Sequence, residues 1–99
     1  SPLREVRLNP SANTATLATA VTVTGSATKL PTTPLANRKS LLVTNAGTAT
    51  VYLGDSAVTT ATGTPLEPGE KAGFDAGPLV DLYGIRASVN QDVRVLEFA

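Results

Sequence analysis

Residues 38–55 read RKSLLVTNAGTATVYLGD, and this stretch decides the fold class of the chain. It contains an apolar run at residues 41–43 (LLV), followed by residues 50–53 (TVYL), in which Val51 and Leu53 alternate with Tyr52. Residues 45–48 (NAGT) lie between them and are of the types that form tight turns, so we expect a β-hairpin. Because the run at 41–43 is bulky on both faces, its strand is predicted to lie at the centre of a sheet.

The same short-strand pattern continues on both sides of this stretch. Val21 and Val23 alternate with threonines, and two prolines in residues 30–35 (LPTTPL) favour a rigid loop over a helix or a central strand. Further strands are expected at residues 72–75, at 79–87 with Gly84 as a possible bulge, and at 93–98. Turns recur throughout and no helical period appears. The sequence therefore predicts an all-β fold, a β-sandwich or small jelly roll of about eight short strands.

Residues 1–20 differ from the rest in composition, so we divide the chain into an N-terminal arm (1–20) and a β-sandwich domain (21–99). Residues 4–8 (REVRL) alternate charged and apolar side chains like a short edge strand, and residues 11–20 are small and polar. Such a segment buries too little apolar surface to hold one conformation by itself. It is either a flexible tail or an extended arm that clamps a neighbouring chain, and we favour the arm.

Composition argues against several classes of function. The formal net charge is zero, which gives no general attraction to nucleic acid or to an anionic membrane. The sequence has neither cysteine nor histidine, so the usual general base and the commonest transition-metal ligands are missing. We therefore expect a protein that is not an enzyme, with no catalytic residues, no metal site and no cofactor.

The remaining candidates for chemistry are weak. Lys39 cannot activate Ser40, because neighbouring side chains on a strand point to opposite faces. Glu67 and Glu70 flank a Pro-Gly turn, where carboxylates are usually just solvated. Carbohydrate binding would need an exposed aromatic platform, for which Tyr52 and Tyr83 are the suitable side chains. A cation held by two of the scattered aspartates stays open as a further alternative.

Residues 36–87 carry an ordered set of motifs that says more than the composition does. They run from R-x-x-L-x-V-x-N at 38–45 through V-Y-x-G at 51–54 and the turn P-G-E at 68–70 to D-L-Y-x-I at 81–85. This series resembles small virion proteins of tailed bacteriophages, of the capsid decoration (cement) or head-fibre base type. The resemblance implies a β-sandwich on the outer surface of the capsid, often trimeric, with an extended terminal arm.

Two functions from different classes follow from this resemblance. The first is a structural virion protein that binds the major capsid protein, associates with itself as a homotrimer, and stabilises the shell by bridging its subunits. The second is a carbohydrate- or receptor-binding module, or a small tail or head-fibre component. For the first function, the residues expected to contact a partner are Arg4, Val6, Arg7, Leu8, Arg38 and Lys39.

Overall fold

The computed structural model describes residues 15–99, which form eight strands and no helix. There is accordingly no helix in this part of the chain long and apolar enough to cross a membrane. The strands are β1 (Thr16–Val23), β2 (Thr28–Leu30), β3 (Ser40–Asn45), β4 (Val51–Gly54), β5 (Thr64–Leu66), β6 (Lys71–Phe74), β7 (Leu82–Arg86) and β8 (Gln91–Phe98).

Two four-stranded antiparallel sheets make up the sandwich. The first has the order β1-β8-β3-β6 and the second the order β2-β7-β4-β5. The all-β prediction is confirmed, as is the central position of the strand containing residues 41–43, since β3 lies between β8 and β6. The sheets enclose an aliphatic core that includes Val21, Val23, Leu30, Leu41, Val43, Val51, Leu53, Leu66, Val93 and Val95.

The predicted hairpin at residues 38–55 is wrong, because β3 and β4 belong to different sheets. The chain crosses from one layer to the other between them, and the buried Asn45 holds this crossing. Its side-chain Nδ2 donates hydrogen bonds to the carbonyls of Ala49 and Leu66 (both 2.8 Å), and its Oδ1 accepts one from the amide of Gly47 (2.9 Å). Turn-forming residues therefore serve here to connect two layers.

The boundary between arm and domain also needs correction. The sandwich begins at β1 rather than at residue 21, because residues 16–20 pair with β8 along their whole length. The backbones of Ala15 and Ala99 extend this pairing by exchanging two hydrogen bonds of 2.8 Å. The predicted arm residues 1–14, including Arg4, Val6, Arg7 and Leu8, lie outside the described residues.

Gly84 is not a bulge. It pairs regularly with Thr28 on β2 and with Leu53 on β4, and it is buried. A Cβ atom at this position would lie 3.1 Å from the Leu30 side chain and 3.2 Å from that of Val51. The lack of a side chain at residue 84 therefore fits the close approach of these core side chains, and the strand shows no irregularity there.

Candidate interaction surfaces

A charged pair lies inside the sandwich, between residues 59 positions apart in the chain. Arg38 is 3% exposed and Glu97 is 0% exposed, and the Nη1 of Arg38 lies 2.9 Å from the Oε2 of Glu97. The same carboxylate oxygen accepts a hydrogen bond from the amide of Leu35 (2.9 Å). The pair thus ties β8 to the loop that follows β2.

The rest of the Arg38 guanidinium holds the loop between β6 and β7. Its Nε donates to the carbonyl of Ala76 (3.0 Å), and its Nη2 donates to those of Gly77 (2.7 Å) and Val80 (2.8 Å). Hydrogen bonds from an ionised donor are stronger than those between neutral groups, and these are largely withdrawn from water. The backbone of residues 76–80, which we call the pinned loop, is therefore fixed at three points.

The pinned loop has apolar side chains that point into solvent. Leu79 is 95% exposed and Val80 is 59% exposed, and Phe74, at the end of β6, is 38% exposed. Three of the five large apolar side chains that are exposed among residues 15–99 thus fall within residues 74–80. Single exposed apolar side chains are common in proteins, so what distinguishes residues 74–80 is that three of them lie within seven positions, two of them on the backbone that Arg38 fixes.

An open apolar cleft adjoins this region. It lies between β5 and β6, which are the end strands of the two sheets. Its volume is about 310 Å³. Phe74 forms part of its wall together with Leu53, Leu66, Ala72 and Leu82. The cleft is open to solvent, and Phe74 is the exposed apolar residue of segment 74–80 that lines it.

The two tyrosines share the outer face of the second sheet. Tyr52 pairs with Ile85, and Tyr83 pairs with Gly54, so the rings are diagonal neighbours on adjacent strands. Both side chains are half-buried. Lys29 lies directly opposite Tyr83 on β2 and forms a surface ion pair of 3.4 Å with Asp81.

The carboxylates of Glu67, Glu70 and Asp92 make local hydrogen bonds and an ion pair. Glu70 Oε1 accepts a hydrogen bond from the amide of Glu67 (2.7 Å) and so closes the turn, whereas Glu67 Oε1 accepts one from the hydroxyl of Thr50 (2.6 Å). Asp92 is held by Arg94, whose guanidinium approaches it to 2.7 Å. No three potential metal ligands cluster anywhere within residues 15–99.

Arg38 and Lys39 are the two predicted partner-contact residues that lie within residues 15–99, and they differ in exposure. Lys39 is exposed, whereas Arg38 is buried and positions the pinned loop from inside. Glu97, Leu79 and Val80 were not among the predicted site residues. The alternation Val93, Val95, Glu97 places a glutamate on the buried face of β8 and is the sequence signal that would have revealed the buried pair.

The chain matches none of the protein-family models, curated proteins or solved structures with which it was compared.

Proposed function

We propose that the protein is a structural component of a bacteriophage virion that binds the outer surface of the capsid and stabilises it by bridging subunits of the major capsid protein. The resemblance of residues 36–87 to decoration and head-fibre base proteins supports the choice of partner. The observation that carries the proposal is the pinned loop, on which Leu79 and Val80 stand exposed above a backbone fixed by Arg38.

Preorganisation explains why this arrangement suits adhesion. Binding loses affinity when a loop has to be ordered on contact, and a loop that is already fixed avoids much of that cost. Burial of an exposed leucine or valine on contact is itself favourable, by about 1.5–3 kcal/mol for each side chain that is fully removed from water. Leu79 and Val80 stand on a loop that is already ordered. A hydrophobic depression on the shell would remove their side chains from water.

Repetition of the contact then multiplies its effect. A single contact of this size is weak, but a capsid offers many identical sites, and a protein that touches two subunits at once gains from effective concentration. In this proposal Lys39 and the arm residues Arg4, Val6, Arg7 and Leu8 add further contacts with the capsid. The shell is strengthened because separating its subunits requires breaking all of these contacts.

Sedimentation of purified protein with empty capsids tests the proposal. Bound protein is expected to saturate at a fixed ratio to the major capsid protein, and decorated shells are expected to open at a higher temperature than bare ones. Removal of residues 1–14, which leaves the whole described sandwich, measures the share of the arm. Protein that stays in the supernatant at all concentrations would contradict the proposal.

A carbohydrate-binding module is the second candidate, and the shared face of Tyr52 and Tyr83 is the observation that favours it. Aromatic rings beside a charged pair such as Lys29 and Asp81 provide both stacking and hydrogen bonding for a sugar. A glycan array probed with the wild-type protein and with the variant Tyr83→Ala tests this function. Signals that are lost in the variant would favour it, and an array without signals would exclude it for the sugars present.

A further inference from the structure

The outer edge of β1 has a row of backbone groups without a partner among residues 15–99. β1 is the end strand of its sheet and pairs with β8 alone. Ala15 and Ala99 exchange two backbone hydrogen bonds, and such pairs occur at every second residue of an antiparallel ladder. The N–H and C=O groups of the odd residues of β1 therefore point toward β8. The N–H and C=O groups of the even residues therefore point away from the sheet. These residues are Thr16, Ala18, Ala20 and Thr22.

This edge lacks the features that usually prevent one sheet from pairing with another. Natural edge strands are short, or they carry lysine, proline or a bulge. β1 has eight residues, TLATAVTV, with no charge and no proline, and it pairs with β8 without interruption. A second copy of the same strand would meet no like charge along its length.

We infer that β1 is the site of self-association, and that two copies join edge to edge as antiparallel strands around a two-fold axis at Thr19. In this register Thr16 lies opposite Thr22 of the second copy, and Ala18 lies opposite its Ala20. Each of these two pairs occurs twice across the axis. All four pairs of even residues are then of the hydrogen-bonded kind, and every outward N–H and C=O of β1 is satisfied. The two first sheets become one continuous sheet of eight strands.

The inner face of β1 fits the same register. Exposure decreases along this face, from 41% at Leu17 to 7% at Val21 and 0% at Val23. The two-fold axis places Val21 of the second copy directly opposite Leu17. Each copy thus supplies an apolar neighbour for the exposed leucine of the other, and a self-complementary patch of this kind is what two-fold symmetry requires.

This inference does not depend on the virion role, and it differs from the homotrimer that the resemblance implies. Pairing between identical antiparallel edges is complete with two copies, since the edge of each strand is then occupied by the other. Capsid protein and residues 1–14 are the other possible occupants of the edge, and the experiments below distinguish both from a second copy.

Cross-linking tests the register directly, because the natural chain has no cysteine. Opposite residues at a non-hydrogen-bonded position are about 4.5 Å apart between Cα atoms, within the range of about 4.4–6.8 Å that a disulfide spans. Full-length Thr19→Cys is expected to form a disulfide-linked dimer under mild oxidation. Thr16→Cys and Thr22→Cys are the matched controls, and each alone is expected to remain unlinked, because neither lies opposite itself.

Sedimentation equilibrium of the full chain provides the second measurement. The wild type is expected to be a dimer, and Ala20→Pro is expected to weaken it about 30-fold, since two hydrogen bonds are lost across the axis. The outward N–H that proline removes is not bonded to β8, so circular dichroism of the variant should match the wild type. A monomeric or trimeric wild type, or a Thr19→Cys protein that does not cross-link, would overturn the inference. So would a chain that dimerises only after residues 1–14 are removed.

Discussion

Arg38 and Glu97 form an ion pair of 2.9 Å inside the sandwich, and the other hydrogen bonds of this arginine hold a loop whose side chains are exposed. The buried pair therefore connects the core to the surface. A buried charge that loses its partner is strongly destabilising, whereas replacement of both partners by apolar residues is often tolerated.

Replacement of Arg38 alone is expected to destabilise the protein more than replacement of Arg38 and Glu97 together. Arg38→Met leaves the Glu97 carboxylate buried without a counter-charge, and we expect the free energy of unfolding to fall by about 3–5 kcal/mol. The double variant Arg38→Met/Glu97→Leu should recover part of this loss, because no unpaired charge then remains. Urea denaturation of the two variants measures the difference. A double variant less stable than Arg38→Met would show that the pair is not coupled in this way.

Asn45 is expected to be needed for the crossing between the sheets. Asn45→Ala removes three hydrogen bonds and leaves the buried carbonyl of Leu66 without that donor, so we expect a loss of about 2–4 kcal/mol. Thermal unfolding measures this effect. Thr48→Ala is the control in the same connection, since the structure gives its exposed side chain no hydrogen bond within residues 15–99. Equal losses from the two substitutions would contradict the role given to Asn45.

Gly84 and Gly73 are both strand glycines, but they differ in the space around them. Gly84→Ala brings a methyl group to 3.1 Å from Leu30 and is expected to cost about 1–3 kcal/mol through overpacking. At Gly73 the nearest atom would lie at an ordinary 3.8 Å, so Gly73→Ala should be neutral or slightly stabilising. Chemical denaturation of the two variants provides the comparison, and similar values for both would argue against the close packing at Gly84.

Asp92 and Arg94 are expected to give a small dependence of stability on pH. The hydrogen bond from Arg94 lowers the pKa of Asp92 below the ordinary value for an aspartate. A carboxyl with a lowered pKa in the folded state contributes stability above its unfolded pKa, and this contribution is lost as the pH falls through the folded value. NMR titration of the Asp92 carboxyl should show the lowered pKa in the wild type and a return toward normal in Arg94→Gln. An unchanged pKa in the variant would remove Arg94 as the cause.

The sequence predicts the strands well because their pattern is local. Val21 and Val23, or Val93 and Val95, alternate with polar neighbours, and this alternation determines which faces are buried. The pairing of strands depends on distant parts of the chain, so a turn sequence such as residues 45–48 fits both a hairpin and a crossing between sheets. In the same way, nothing near Arg38 indicates that it is buried, since its partner is Glu97 in the last strand.

The apolar loop residues show a second limit of sequence reasoning. Residues 79–87 resemble one continuous strand, which would place Leu79 in the sheet, whereas β7 begins at Leu82. The hydrogen bonds of Arg38 to Gly77 and Val80 end that pattern early and leave Leu79 in solvent. A contact from a distant residue therefore turned an expected strand position into a candidate binding residue.

Capsid binding by variants of the pinned loop is the most direct test of the proposed adhesive role. Leu79→Ser/Val80→Ser changes two exposed side chains and should leave the unfolding temperature unchanged. We expect its affinity for capsids to fall at least about tenfold, because full burial of one such apolar side chain is worth about 1.5–3 kcal/mol. Val89→Ser is the matched control, since Val89 and Val80 are both 59% exposed, and it should bind like the wild type. Full binding by the double variant, or an equal loss in Val89→Ser, would contradict the central claim that the pinned loop is the docking surface.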